Sequence, residues 1–425
     1  MAEAAHEPDG VEIDGEQHVA EQHVAERHAS WLELFFDLVV VVAVAQLAHR
    51  LHEHPTAKTV AICALLYYAV WSVWTSFTIY TNVVADRART RSLMRGMFGI
   101  AVMAAAIPHA DGDRGVWFVA AYLSCRLIAS GVLQRTGQVV TSWPVGQAGA
   151  GAVPWIISIW ADPPVRFWLW GLGIALDLFF AIMGSRNPDR LLEEVQERQD
   201  RQDERRRGVE MRRQAGHEPS GTGRARLGAA LKIRAVPLHT EHLWERLGLF
   251  VIIVLGESVA QVVDSAAESD WKVPLAVTAI GGFVLLICLW WLILQNGLGA
   301  LPDLGHMEAR LAMPSHYAIT AGITAMSAGL GAVAAHPDHA PPMGIRWVLC
   351  GGVALYLATG LVGGLLLKAS WRWMLGWAVP STLVALAVGV WGGELHGSWI
   401  VLIMLAVVAW QVAYRPISRR YAFAA

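Results

Sequence analysis

Apolar stretches of about twenty residues recur along the chain, separated by short polar breaks. That is the length a helix needs to cross a hydrocarbon core of roughly 30 Å. Twelve stretches are legible, at 32–52, 59–80, 93–110, 115–134, 143–161, 166–184, 244–265, 273–295, 313–334, 345–367, 371–392 and 397–414. The pattern predicts an all-α polytopic membrane protein of about 12 transmembrane helices. The fifth stretch is the least regular. Pro154 lies inside it and Gly146, Gly149 and Gly151 precede it, so a kinked or partly broken helix is expected there.

The polar segments divide the chain. Residues 1–30 read as a polar cytoplasmic tail, 31–184 as a first membrane half, 185–240 as a charged cytoplasmic linker, 241–414 as a second membrane half, and 415–425 as a basic cytoplasmic tail. The first tail carries His18, His23 and His28 at intervals of five. Five residues turn a helix about 140° past the previous position, a poor spacing for metal ligands, so a surface-lying segment is expected and no metal site. The linker opens with Asn187-Pro188, a helix start. It continues with acid-to-base pairs four apart, Glu194–Arg198, Glu197–Arg201 and Asp203–Arg207. Its basic end, Arg224, Arg226, Lys232 and Arg234, suits an anionic lipid surface.

Composition agrees with the spacing. Only 16% of the 425 residues are charged and 55% are hydrophobic, with a mean hydropathy of +0.41. Soluble domains carry about 25% charged residues. A net charge of -2 gives no field for nucleic acid. Tryptophan is abundant, 20 residues, and Trp31, Trp143, Trp244, Trp271 and Trp371 fall near span ends, where it is enriched in membranes. All four cysteines, Cys63, Cys125, Cys288 and Cys350, fall inside apolar spans and read as buried hydrophobes. No cleavable signal peptide is expected, because the first apolar run starts late. Lys and Arg favour one set of loops (Arg87, Arg89, Arg91, Arg95, Arg135, Arg310, Lys368, Arg372) over the other (Arg50, Lys58, Arg114, Arg166, Lys272, Arg346). The expectation is an inner (plasma) membrane protein with both termini in the cytoplasm.

The two halves echo one another. A shift of 212 residues places Glu33 on Glu245, each just after a Trp at a span entrance. Trp74 precedes Asp86 by twelve residues, as Trp291 precedes Asp303. Six spans per half make spans 1 and 7 run the same way, which predicts two parallel six-helix repeats.

WLELFFDLV and ERLGLFVIIVLGES are motifs of a known kind. HASWLELFFDLVVVVAVAQLA (His28–Ala48) resembles the amino-terminal signature of the bacterial low temperature requirement protein A family, and HTEHLWERLGLFVIIVLGESV (His239–Val259) resembles its second signature. Tyr80–Arg91 and the Trp290–Trp291 pair fit the same pattern. The resemblance implies a multi-pass membrane protein and supplies no substrate or reaction. It also implies an acidic pair after Tyr80, from which this chain departs: Arg87 follows Asp86.

Ionisable side chains at membrane depth are candidates for function. Glu257, with Gln261 one turn on, lies about midway along span 7 and reads either as a proton or cation site or as a neutral acid bonded across helices. Glu33 and Asp37 stand four apart on one face of span 1. Glu33, and Glu245 after it, are explained as anions at a helix start, while Asp37, a turn deeper, is not. Arg126 and Asp177 are both mid-span and suggest a buried ion pair, although Arg126 is equally placed for Asp37 or Glu257. His316 and Glu394–His396 fall near span ends, within reach of water. No HExxH, GxSxG or P-loop pattern is present. No catalytic residue and no cofactor is signalled. The expected function is a secondary transporter or permease of a small solute or protons, its partner the lipid bilayer. The alternatives are a membrane enzyme acting on lipid or isoprenoid, built on Glu33, Asp37, Asp86 and Arg87 at the cytoplasmic face, and a scaffold whose charges are structural pairs. Oligomeric state is not legible.

Overall fold

The computed structural model describes residues 29–83, 86–136, 138–140, 149–186, 234–236, 238–295, 309–366 and 368–418, with positions 192–193, 196–197, 200–201 and 204 between them. The fold is all-α. In chain order the helices are α1 (Trp31–Glu53), α2 (Ala57–Val83), α3 (Asp86–Ala106), α4 (Gly115–Thr136), α5 (Ala152–Ile157) and α6 (Val165–Arg186). After the linker come α7 (Thr240–Ala267), α8 (Val273–Trp290), α9 (Ala309–Ala335), α10 (Met343–Leu366), α11 (Trp371–Glu394) and α12 (Gly397–Ser418). Ten helices among the described residues are long and apolar enough to cross a membrane. Besides helices, the described residues hold one two-residue parallel bridge, Gln138–Val139 against Arg234–Ala235. It ties the end of the linker to the segment after α4.

Most expected spans are present as single helices, but the fifth differs. Its described part is α5, six residues long, extended by a 3-10 turn at Ser158–Trp160. Six residues rise only about 9 Å. Asp162-Pro163-Pro164 stops the helix, since prolines supply no amide hydrogen. α5 instead lies against α6: Trp155 stacks on Trp170 at 5.2 Å, and Gly173 admits the Gly151 carbonyl where a side chain would collide. The expected Glu197–Arg201 pair is present at 3.3 Å. Its neighbours Glu194–Arg198 and Asp203–Arg207, the histidine tail and the basic cluster at 224–234 lie outside the residues whose side chains are described.

α2 and α9 are the inner helices, with 72% and 78% of their apolar windows buried. α1 and α7 lie beside them, and the two halves meet where α1 and α2 touch α7 and α9. The outward faces are apolar: Phe98, Leu127 and Val273 are each more than 70% exposed, as expected of side chains meeting lipid. Trp31, Trp160, Trp271, Trp371 and Trp391 are exposed at helix ends, as an interfacial belt requires. Three arginines of the less basic loops are buried against backbone carbonyls. Arg50 binds Ile107 and Pro108, Arg166 binds Ala161 and Gly112, and Arg346 binds Gly389. They satisfy carbonyls at helix ends and loops that would otherwise lack donors. Cys63, Cys125 and Cys350 are buried and Cys288 half-buried, all as free thiols.

Candidate functional site

The site is built on two spacings of four. Glu33 and Asp37 lie one turn apart on α1, and His242 and Arg246 one turn apart on α7. Because turns rise equally, two such pairs on neighbouring helices meet side by side. Arg246 Nη1 is 3.1 Å from Glu33 Oε1, and its Nη2 donates to Asp37 Oδ1 at 2.6 Å. His242 Nε2 is 3.5 Å from Glu33 Oε1. All four side chains are buried, Glu33, Asp37 and Arg246 completely. Ser30 closes a capping box on Glu33, its backbone N–H and its hydroxyl both donating to Oε2. Glu33 is therefore more than an anion at a helix start. It also joins the two halves, and that corrects the expectation. Glu245 accepts the Ala29 N–H at 3.0 Å, one residue before the Ser30 cap of α1.

α2 supplies the rest. Trp74 Nε1 donates to Asp37 Oδ1 at 2.7 Å. The Trp74 ring lies against Phe250 and stacks on His316, at centroid distances of 4.3 and 5.3 Å. His316 was expected near water and is instead wholly buried. A tryptophan N–H can only donate, so Trp71 fixes His316 Nδ1 as an acceptor, and Nε2 donates to the Leu247 carbonyl. His316 is a neutral, fully used ring.

Asn82 decides the state of His242. The Asn82 amide oxygen accepts the His239 N–H at 2.7 Å and its nitrogen donates to the His239 carbonyl at 2.9 Å, which fixes the amide's orientation. The same nitrogen stands 3.2 Å from His242 Nδ1. That nitrogen must then be an acceptor, so the ring's hydrogen sits on Nε2, facing Glu33. Among the described side chains, Glu33 and Asp37 share one guanidinium, that of Arg246. Asp37 Oδ2 has no protein hydrogen-bond partner. It is the buried carboxylate oxygen of the cluster to which a proton can add without displacing a hydrogen bond.

The family model described as the bacterial low temperature requirement A protein (LtrA) matches residues 28–410. This chain belongs to the LtrA family. An uncharacterized protein of Rhizobium meliloti (strain 1021) is 24% identical to it over 353 residues, covering 78% of this chain and 75% of that protein. No solved structure matches. The LtrA match takes in every residue of the cluster, and with the apolar helices it makes the chain an integral, multi-pass membrane protein.

The other candidates lie apart from this cluster in the LtrA chain. Arg126 meets Asp177, not Asp37 or Glu257. It holds both carboxylate oxygens, and also donates to the Tyr122 hydroxyl at 2.8 Å. This pair balances its own charge and calls for no proton. Glu257 is half-buried and accepts from Gln261 at 2.8 Å, with Asp264 a further turn on. It stands eleven residues beyond Arg246, about 16 Å along nearly the same face of α7. Glu394 and His396 are exposed. The side chains of Asp86 and Arg87 lie outside the described residues, and Glu33 and Asp37 are too deeply buried to form a carboxylate site at the membrane surface. Sequence reasoning missed His242, Arg246, Asn82 and Trp74. The signal was available for the first two: a basic pair spaced four apart at one helix start matches an acidic pair spaced four apart at another.

Proposed function

We propose that this LtrA protein is a secondary transporter that couples a small solute to protons, and that Asp37 is the residue that takes up and releases the proton. The observation that carries the reading is that two buried carboxylates, Glu33 and Asp37, share the Arg246 guanidinium at the contact between the halves, with Asp37 Oδ2 outside any protein hydrogen bond. Four buried ionisable groups are costly at membrane depth, where an apolar contact would hold two helices together as well. A site that alternates between charged and neutral gives them a use. Protonation of Asp37 weakens its attraction to Arg246 and so loosens α1 from α7, which is what a coupled rearrangement of two halves needs.

The packing order supports a two-repeat, twelve-helix reading, with α5 as a broken fifth span. Contacts α1–α2, α1–α3, α2–α3, α3–α4, α2–α6, α4–α5 and α5–α6 recur as α7–α8, α7–α9, α8–α9, α9–α10, α8–α12, α10–α11 and α11–α12. In this reading 31–184 and 241–414 are halves related by an axis along the membrane normal, the termini and the 185–240 linker are cytoplasmic, and the membrane is the inner one. Glu257 and Gln261 form a second polar station on α7.

Purified protein reconstituted on solid-supported membranes tests the function. Pulses of amino acids, sugars, inorganic cations and organic anions are applied under an inward proton gradient. At least one class gives a current in wild type; Asp37→Asn abolishes gradient-driven uptake but keeps solute exchange, and Glu257→Gln slows both. Uptake indifferent to the proton gradient, or unchanged in Asp37→Asn, sinks the coupling role. A wild type silent across all classes leaves the scaffold reading, which the closed Arg126–Asp177 pair favours.

A further inference from the structure

α1 turns a second face away from the Glu33 cluster and towards α3. Between the two helices runs an open groove of about 700 Å³. Its α1 wall is Phe35, Leu38 and Val42, each more than half exposed. Its α3 wall is alanine, Ala101, Ala104 and Ala105. Side chains so small leave open the space that larger ones would fill, and an unfilled recess forfeits contacts on both walls. From Phe35 to Gln46 the groove extends about 16 Å. That is about half of the roughly 30 Å hydrocarbon core, within the reach of one acyl chain.

The end of the groove is polar. Gln46 and Arg114 line it, and Arg114 lies in the turn between α3 and α4, at the edge of the membrane. Arg114 is exposed and gives one bond, from Nη1 to the Ala105 carbonyl at 3.1 Å. A guanidinium has five donors, so several remain for a phosphate. Asp111, its near neighbour in the chain, is held by Arg50 at 2.9 Å and does not neutralise it. Asp113, adjacent and exposed, adds a negative charge that suits a headgroup carrying an ammonium.

We propose that the α1–α3 groove is a binding site for one zwitterionic phospholipid of the leaflet farther from Glu33. One acyl chain lies between Phe35, Leu38 and Val42 and the alanines of α3, and the phosphate lies on Arg114 and Gln46. The occupied groove braces the outer face of α1, whose inner face carries Asp37.

The test is native mass spectrometry of the full-length protein after exhaustive detergent washing. Wild type retains one phospholipid per chain, and after delipidation it rebinds phosphatidylethanolamine in preference to phosphatidylglycerol. Ala101→Trp fills the groove from an exposed position and Arg114→Gln removes the phosphate partner; each loses the retained lipid by tenfold or more. Leu127→Trp, exposed on α4, keeps it and controls for the added ring. Retention of the lipid by both groove variants overturns the proposal. So does an Ala101→Trp that splits a dimer without losing lipid, because the occupant is then a second copy. Preference for phosphatidylglycerol overturns the headgroup assignment.

Discussion

At the scale of residues, the informative group is Arg246. Among the described residues it is the one cation placed on two buried carboxylates, so removing it costs far more than a surface pair would. Arg246→Gln is expected to destabilise the protein by about 3–5 kcal/mol, because Glu33 and Asp37 are then buried without a cation. Thermal unfolding in detergent reads this. Adding Asp37→Asn to Arg246→Gln should recover part of the loss, and a double-mutant cycle gives the coupling; a double variant as unstable as the sum of the two singles would show that no coupling exists. Trp74→Phe keeps the ring stacked on His316 but removes the Nε1–H donor to Asp37. The expected cost is about 1.5–3 kcal/mol, the range for a hydrogen bond to a charged group. Of these residues, Glu33 and Asp37 stand out in sequence because carboxylates are rare in an apolar run. Arg246 and His242 do not, because they follow Glu241 and Glu245 at a span entrance, where mixed charge is ordinary. Asn82 and Trp74 carry no charge at all, and only their contacts reveal what they do.

At the scale of elements, close helix crossings depend on small residues. α9 and α10 touch backbone to backbone: a side chain at Gly352 would stand 2.6 Å from both the Gly322 carbonyl and the Met326 nitrogen. Gly351, its neighbour, meets nothing nearer than a Trp347 ring atom at 3.8 Å. Gly352→Val is therefore expected to lower the melting temperature well below that of Gly351→Val. Equal effects would mean the crossing is looser than the backbone distances require. Helix existence was legible from apolar length almost everywhere. α5 shows where that signal fails. Its stretch is apolar enough to suggest a span, but prolines after it end the helix and close glycine contacts seat its described part on α6, with Val153, Ile156 and Ile157 exposed.

At the scale of the whole molecule, the halves are joined by α1 and α2 meeting α7 and α9, and by the bridge from 138–139 to 234–235. Two co-expressed fragments, divided between residues 204 and 234, are expected to copurify through the membrane-embedded contact. Arg246→Gln should reduce the yield of the complex several-fold in a pull-down of one tagged fragment. Fragments that fail to associate in wild type would show that the linker, not the Glu33 cluster, holds the halves.

The sequence by itself determined that this chain lies in a membrane, where its helices run, and which family it resembles, because crossing a hydrocarbon core demands long apolar helices whatever they do. It also exposed the carboxylates, since charge in such helices is conspicuous. It did not determine their partners. Asp37 and Arg246 are 209 residues apart, and nothing local links them. Only the packing of α1 against α7 decided that they meet. Only the amide of Asn82, fixed by the His239 backbone, decided that His242 turns Nδ1 to Asn82 and Nε2 to Glu33.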